Sequence, residues 1–257
     1  MIPQQKRETT SIQNPFNAPV YYYARTDSTL QAARECLADG CPDGTFIYAG
    51  YQTEGRGRMS DRQWLSPAGE NLLGTLILKQ PASTDFTLRI GLAVSLTLDS
   101  FLPPGLRTAV KWPNDIFING KKAAGILCEG AGGCILAGIG INLQPLPGID
   151  QPHAALSEAG PVARNALTAA LINAWRAACA AHPAARADYP ARWRELDLYY
   201  GQSVCLSHAQ GNSRGINRGI DAAGQLLLED TDGNIHPWTA GDISLRPVSL
   251  HNTGDNT

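Results

Sequence analysis

The chain has 257 residues, of which 43% are hydrophobic and 17% charged, and its formal net charge is -2. These values fit a globular protein with a sizeable core, built as one large domain or as one domain with a small addition. The weakly negative charge gives no global attraction to nucleic acid or to an anionic membrane. The N-terminus has no apolar targeting segment and no apolar run is long enough to cross a bilayer, so we expect a cytoplasmic protein.

Residues 1–18 are polar, and we expect them to form a flexible tail. Residues 27–40 predict a helix. Ser28 and Gln31 fit a capping box at its start, and Gly40 supplies a stop.

The following segments alternate between strand-like and helical patterns. Asn119-Gly120, between two apolar runs, is a strong signal for a hairpin within residues 108–130. Other strands are predicted at 45–52, 71–79 and 134–143, and other helices at 87–102, 162–182 and 187–197.

From Tyr199 onward the chain consists of short β-like runs separated by turns, which predict a small antiparallel barrel of roughly five strands. The predicted fold class is α+β, with a central mixed, mostly antiparallel sheet flanked by helices and a C-terminal β-barrel. The predicted divisions are a tail at 1–18, a catalytic domain at 19–198, the barrel at 199–248 and a second flexible tail at 249–257.

Six cysteines are scattered without a Cys-x-x-Cys pair or metal-ligand spacing. We predict that they are reduced and mostly buried, rather than bound to a metal or joined in disulfides. The five histidines do not cluster, so the sequence indicates neither a zinc site nor a nucleophile triad.

The loop "YQTEGRGRMSDRQW" (51–64) joins two predicted strands. Gly55 and Gly57 allow the backbone to approach a ligand, while Arg56 and Arg58 can bind a phosphate or a carboxylate. A solvated hairpin turn is an equally good interpretation of this loop alone. A nucleic-acid patch is disfavoured by the acidic residues within the loop.

The string "KWPND" (111–115) contains Pro113 within a strand-like stretch, which forces a break or an edge position. The break presents Lys111, Asn114 and Asp115 at a strand end, where they can hold a metal-bound nucleotide or transfer a proton. The alternative is a plain turn in which Asn114 and Asp115 bind their own backbone.

Lys121 and Lys122 alternate faces if their strand is regular, so one of them can point inward and stabilise negative charge. A pair of solvated turn lysines is the alternative. In "GIGIN" (138–142), Gly138 and Gly140 make room for a ligand and Asn142 binds it at the strand end, or the segment is an ordinary core strand. The spacing does not fit a Rossmann signature.

Taken in order, these strings resemble the biotin–protein ligases, which attach biotin to the carrier subunit of biotin-dependent carboxylases. The resemblance covers about residues 20–247. The matching strings are "DST" (27–29), "YQTEGRGR" (51–58), Trp64 with Ser66-Pro67, "KWPNDI" (111–116), "KKAAGILCE" (121–129), "GIGIN" (138–142) and "RWRELD" (192–197), followed by the C-terminal region.

The resemblance implies a class II synthetase-like, SH2-like catalytic domain and an SH3-like barrel. It also implies a reaction in which biotin and ATP, with Mg²⁺, form biotinyl-5′-AMP, and a lysine of a biotin carboxyl carrier protein then takes the biotin. A lipoate or octanoate ligase of the same fold is an alternative, as is a catalytically silent biotin- or nucleotide-binding regulator.

The resemblance also implies roles for individual residues. Lys122, Asp115 and Arg58 would be catalytic, and no metal ligand is assigned. The implied biotin contacts are Ser28, Thr29, Gln52, Arg56, Gly57, Arg58, Lys122 and Gly125. The implied nucleotide contacts are Arg56, Arg58, Arg62, Trp64, Lys111, Asn114, Asp115 and Asn142.

Three features depart from the family pattern. Leu30 stands where the family often has asparagine, and the segment before Trp64 is one residue longer than the commonest form. The chain also lacks the N-terminal winged-helix domain of members that act as repressors, so we expect a monofunctional ligase without operator DNA binding. A homodimer formed through the sheet edge is compatible with this interpretation.

Overall fold

The computed structural model describes residues 7–59, 63–81, 83–146, 148, 152–180, 188–240 and 244–248. Within these residues, eight strands form the main sheet, in the order β1-β2-β3-β4-β8-β7-β6-β5. Only β2 and β3 pair in parallel among these strands. The strands are β1 (Glu8–Thr9), β2 (Val20–Tyr23), β3 (Phe46–Ala49), β4 (Asn71–Leu78), β5 (Thr108–Lys111), β6 (Asp115–Ile118), β7 (Lys121–Ala131) and β8 (Cys134–Asn142).

Helices cover both faces of this sheet. One face packs against α2 (Phe86–Asp99) and α3 (Arg164–Ala180), and it buries the larger apolar core. The other face packs against α1 (Thr29–Ala38), where Leu30, Ala33 and Cys36 meet apolar residues of the sheet. α1 contacts β3, β4 and β8, and its Arg34 forms an ion pair with Glu129 of β7.

The C-terminal sheet has five antiparallel strands in the order β12-β11-β10-β9-β13. It follows α4 (Tyr189–Leu196). Its strands are β9 (Ser203–His208), β10 (Gly211–Ile220), β11 (Leu226–Glu229), β12 (Ile235–Trp238) and β13 (Ser244–Pro247). The predicted fold class is therefore confirmed: a mixed, mostly antiparallel sheet flanked by helices, with a separate antiparallel sheet at the C-terminus.

A second buried core joins the two sheets. Val110 and Trp112 of the main sheet region pack with Trp193 of α4 and with apolar residues of the C-terminal sheet, including Leu206 and Leu228. At the edge of β5, Leu198 N donates to Val110 O at 2.8 Å. The C-terminal sheet is thus fixed against the strand that leads into "KWPND".

Several helix caps and turns lie at the residues predicted from the sequence. Ser28 caps α1, with its Oγ accepting a hydrogen bond from Gln31 N. The reciprocal half of the predicted capping box is missing, because the Gln31 side chain binds Glu35 instead. Asn119 and Gly120 have φ values of 49° and 72° and make the predicted turn between β6 and β7.

The segment before β2 differs from the predicted flexible tail over its described part, residues 7–18. Glu8–Thr9 pairs with β2, and Asn14 Nδ2 donates to Gly44 O at 2.9 Å. Ile12 and Phe16 pack against the larger core. Two isolated apolar side chains in a polar stretch are enough to anchor the segment, because they meet a preformed apolar surface.

All six cysteines lie within the described residues and are free thiols, but fewer of them are buried than predicted. Cys36 and Cys41 are buried, and the other four are half-buried. Among the helices that the structure describes, none combines the length and the hydrophobicity needed to span a membrane.

Candidate active site

The first wall of the site is the N-terminus of α1. The backbone N–H of Thr29 donates to Gln52 Oε1 at 2.7 Å, and Thr75 Oγ1 donates to Thr29 Oγ1 at 2.9 Å. Since the Thr29 hydroxyl accepts this bond, its own proton can be donated to a ligand. Ser28 and Thr29 are only 2% and 4% exposed. A polar ligand group bound here would therefore replace its hydrogen bonds to water with hydrogen bonds to these buried side chains.

The arginine-bearing loop is closed at its base. Trp64 N donates to Gly55 O at 3.0 Å, and Arg56 forms a β-bridge with Gln63. A Cβ on Gly55 would lie 2.4 Å from the Trp64 carbonyl oxygen, so this close approach requires glycine. The predicted nucleotide contact Arg62 lies outside the described residues.

A β-bulge determines which lysine enters the site. Asp115 pairs with Gly125 and Phe117 with Lys122, and the register shifts between the two pairs, so Ala123 is the extra residue in β7. Residues opposite each other share a face, so the bulge places Lys122 on the same face as Asp115. Lys122 Nζ lies 2.6 Å from Asp115 Oδ1. Lys121, by contrast, is exposed.

The two glycines expected to make room for a ligand both line the small cavity described below, and each also lies close to a protein side chain. A Cβ on Gly140 would lie 2.5 Å from Trp64 Cε2, and one on Gly138 would lie 3.3 Å from Leu30 Cγ. Gly125 also faces the indole, with its Cβ position 2.9 Å from Trp64 Cζ3. Lys122 Nζ lies 5.3 Å from the centre of the same ring. Trp64 therefore lies on the face of the sheet that carries Lys122 and Asp115.

Two asparagines tie this region together. Asn114 Nδ2 donates to Ile126 O at 2.9 Å, which fixes the "KWPND" turn against β7. Asn142 Nδ2 donates to Lys122 O and to Ala154 O, both at 3.2 Å. Asn142 Oδ1 is buried without a hydrogen-bond partner among the described residues. Because such an orphan acceptor costs about 1–3 kcal/mol, a ligand N–H placed there would be stabilised.

Three cavities meet at Arg58 and Asn114, which line all of them. The smallest, of about 60 Å³, is lined by all eight residues predicted to contact biotin: Ser28, Thr29, Gln52, Arg56, Gly57, Arg58, Lys122 and Gly125. A second cavity of about 580 Å³ is lined by six of the predicted nucleotide contacts: Arg58, Trp64, Lys111, Asn114, Asp115 and Asn142. Arg56 lines the small cavity but not the second one.

The third cavity, of about 490 Å³, lies between Arg58 and Asn114 on one side and the C-terminal sheet on the other. Cys128 lines it, and burial raises the pKa of its thiol to about 12. The thiol is therefore protonated at neutral pH and is not a nucleophile.

Several residues of the site were not predicted from the sequence. Thr75 supports Thr29 from the middle of β4, and a polar residue between the apolar residues of "NLLGTLILK" was the available signal. Ser244 and Leu245 of β13 line the second cavity, as does His153. No local pattern marks these three residues, because only tertiary packing brings them to the site.

Among the described residues, no three His, Cys, Asp or Glu side chains are grouped so as to hold a metal ion. The charged groups that line the small and second cavities are two lysines, two arginines and the Asp115 carboxylate. Such a set suits the binding of a carboxylate and a phosphate more than the construction of a metal centre.

The fold is that of a class of protein ligases. The family model described as "Biotin/lipoate A/B protein ligase family" matches residues 22–145, and that described as "Biotin protein ligase C terminal domain" matches residues 200–246. Together with the relatives described next, these matches show that the chain belongs to the biotin protein ligase family.

The chain is 37% identical over 235 residues to "Bifunctional ligase/repressor BirA" of Escherichia coli (strain K12), which covers 86% of this chain and 72% of that protein. It is 33% identical over 232 residues to the biotin–[acetyl-CoA-carboxylase] ligase of Paracoccus denitrificans, covering 82% and 94% of the two chains. The biotin protein ligase of Aquifex aeolicus, solved in complex with biotin and ATP, matches with a TM-score of 0.77 and 25% identity, over 89% of this chain and 99% of that one.

Proposed function

We propose that this chain is an ATP-dependent ligase that activates biotin as biotinyl-5′-AMP and transfers it to a lysine of a biotin carboxyl carrier protein. The observation that carries the proposal is a pair of adjoining cavities that share lining residues. One is lined by all eight expected biotin contacts, the other by six expected nucleotide contacts, and both share Arg58, Trp64, Asn114 and Lys122. The names of the relatives support the same activity.

In the proposed complex, the ureido ring of biotin binds Ser28, Thr29 and Gln52, and its carboxylate points towards Arg58 and Lys122. The adenine amino group would satisfy the buried Asn142 Oδ1, which is an acceptor beside the second cavity. The junction of the two cavities is then the place where the carboxylate meets the α-phosphate.

In the first step, a biotin carboxylate oxygen attacks the α-phosphorus of ATP, and the bond to the bridging oxygen of pyrophosphate breaks. Negative charge on the phosphate oxygens increases in the transition state. Lys122 and Arg58 stabilise this charge, and fixed cations of this kind contribute about 10²–10³-fold to a rate.

In the second step, the amine of the carrier lysine attacks the carbonyl carbon of the mixed anhydride and AMP leaves. The amine loses a proton, which Asp115 accepts. Asp115 is bound to Lys122 at 2.6 Å, so this role requires an exchange of partners. Once Lys122 binds the phosphate and carboxylate oxygens of the adenylate, the Asp115 carboxylate becomes available to the incoming amine.

Mg²⁺ would enter as part of the nucleotide substrate. It prefers oxygen ligands and usually binds through substrate phosphates with one or two carboxylates, and Asp115 and Asn114 supply suitable oxygens at the second cavity. We further propose that the protein acts in the cytoplasm. Its six free thiols support a reducing compartment.

The test is transfer of labelled biotin to a purified carrier domain with ATP and Mg²⁺, followed by intact-mass spectrometry. The proposal expects one added biotin on the acceptor lysine, with an acceptor Lys→Arg variant as the negative control. Lipoate and octanoate are offered in competition. Transfer of either acid in preference to biotin, or ligand binding without transfer, would contradict the proposal.

A further inference from the structure

The C-terminal sheet reaches the proposed nucleotide site through Trp112. This residue lies in the turn between β5 and β6, directly after Lys111. Its side chain is 1% exposed, and its Nε1 donates at 3.1 Å to Gly224 O, in the turn between β10 and β11 of the C-terminal sheet. A buried indole N–H needs an acceptor, and here the acceptor belongs to the other sheet.

The turn that carries Gly224 is held rigidly. Asp221 Oδ1 accepts hydrogen bonds from Ala223 N at 2.9 Å and from Gln225 N at 2.8 Å, and Gly224 N donates to Asp221 O at 3.1 Å. The Tyr189 hydroxyl, from α4, donates to the Asp221 carbonyl at 3.3 Å. The Gly224 carbonyl is therefore presented in a fixed position.

The turn is also wedged against α2. A Cβ on Gly224 would lie 2.8 Å from Leu88 Cδ1 and 3.2 Å from Asp85 Cα. Gly224 has a φ of +81°, which side-chain-bearing residues rarely adopt. Close contact with the first turn of α2 leaves this turn little freedom to shift.

The residues on either side of Trp112 are those expected to bind the nucleotide. Lys111, Asn114 and Asp115 line the second cavity together with Ser244 and Leu245 of β13. No residue of the C-terminal sheet is among the described residues that line the small cavity. The C-terminal sheet thus touches the nucleotide side of the site and not the biotin side.

We propose that the turn 221–225 positions the Lys111–Asp115 segment for the nucleotide, with Trp112 as the positioning residue that couples the two sheets. This inference rests on the proposed function, of which it specifies one part. Loss of the contact between Trp112 and Gly224 raises the KM for ATP and leaves the Kd for biotin unchanged.

The experiment uses two matched pairs of variants of the full chain. Gly224→Ala is compared with Gly233→Ala, because Gly233 has a φ of +83° in the same sheet but no atom near its Cβ position. Trp112→Phe is compared with Trp175→Phe. Trp175 is also fully buried, and its Nε1 has no hydrogen-bond partner in the described part of the chain.

For each variant, the KM for ATP and kcat are measured in biotin-dependent adenylate formation, and the Kd for biotin is measured by calorimetry. All assays are run well below each melting temperature. Gly224→Ala and Trp112→Phe are expected to raise the KM for ATP by about fivefold to tenfold, the effect of one lost hydrogen bond. The Kd for biotin is expected to stay within about twofold of the parent value.

Equal ATP kinetics in each test variant and its control would overturn the inference, even if the test variant melts at a lower temperature. An equal rise in the KM for ATP and in the Kd for biotin would also overturn it, because that result indicates a general loosening of the fold. A parent chain without adenylate formation would instead contradict the proposed function itself.

Discussion

Lys122 Nζ and Asp115 Oδ1 lie 2.6 Å apart, and the two side chains are 34% and 18% exposed. The proposed reaction assigns these opposite charges to different steps. A partly exposed ion pair contributes little net stability, because water screens it. A ligand contact can therefore replace this ion pair with little loss in the free energy of unfolding. The role of each charged side chain can be tested by its own substitution.

Replacing the lysine tests the first step. Lys122→Ala is expected to slow adenylate formation about 10²–10³-fold, since a fixed cation at the phosphate is lost. The free energy of unfolding should change by no more than about 1 kcal/mol. Single-turnover formation of the adenylate is the measurement. Lys121→Ala is the matched control, as Lys121 is the exposed neighbour on the same strand, and it should behave like the parent. A normal rate in Lys122→Ala would remove Lys122 from the mechanism.

Replacing the carboxylate tests the second step. Asp115→Asn is expected to slow transfer from preformed biotinyl-5′-AMP to the carrier lysine by about 10²-fold or more, because the amine loses its proton acceptor. The rate of adenylate formation should fall much less. The two half-reactions are measured separately by rapid quench. If both fall equally, Asp115 serves only to hold Lys122 and has no role in proton transfer.

Gly140→Ala should displace Trp64, because the added Cβ would lie 2.5 Å from its Cε2. The tryptophan emission is expected to shift to longer wavelength as the indole becomes more exposed. Gly130→Ala is the control on the neighbouring strand, since nothing lies within 4 Å of its Cβ position. The shift should disappear in a Trp64→Phe background. A shift that persists there would show that another tryptophan reports the change.

A half-buried carboxyl at the junction of the two sheets should make stability depend on pH. Burial raises the pKa of Asp197, although its carboxylate accepts hydrogen bonds from Tyr199 N and from Asn217 Nδ2, each at 3.0 Å. The folded state therefore holds this proton more tightly than the unfolded state does. Its stabilising contribution is complete below the unfolded pKa and is lost as pH rises through the folded pKa.

The comparison is between the parent chain and Asp197→Asn, by urea unfolding from about pH 4 upward, since an unperturbed Asp titrates near ~3.9. The parent's unfolding free energy, relative to that of the variant, should fall as pH rises through this window. Parallel curves for the two proteins would contradict the raised pKa.

Much of the fold was predictable because local signals and tertiary packing agree. Asn119-Gly120 could be recognised as a turn, and Ser28 as a helix cap, from the residue types alone. The N-terminal segment was not predictable in this way. The anchoring of Phe16 depends on a core surface made by distant residues.

The site was predictable only in part, for a similar reason. Alternation along a regular strand could not decide between Lys121 and Lys122, because the β-bulge at Ala123 changes the register. The glycines of "GIGIN" were expected to make room for a ligand, and both line the small cavity. The close approach of Trp64 to Gly140 was not predicted. The contact from Trp112 to Gly224 joins residues 112 positions apart, and no local pattern reports it.

Exchange of labelled pyrophosphate into ATP, measured without any carrier protein, tests the central claim most directly. The proposed chemistry predicts exchange that requires biotin, because the reversible first step re-forms ATP from the adenylate and pyrophosphate. The exchange should be absent without biotin and strongly reduced in Lys122→Ala. Exchange that is independent of biotin, or no exchange with biotin, ATP and Mg²⁺ all present, would contradict it.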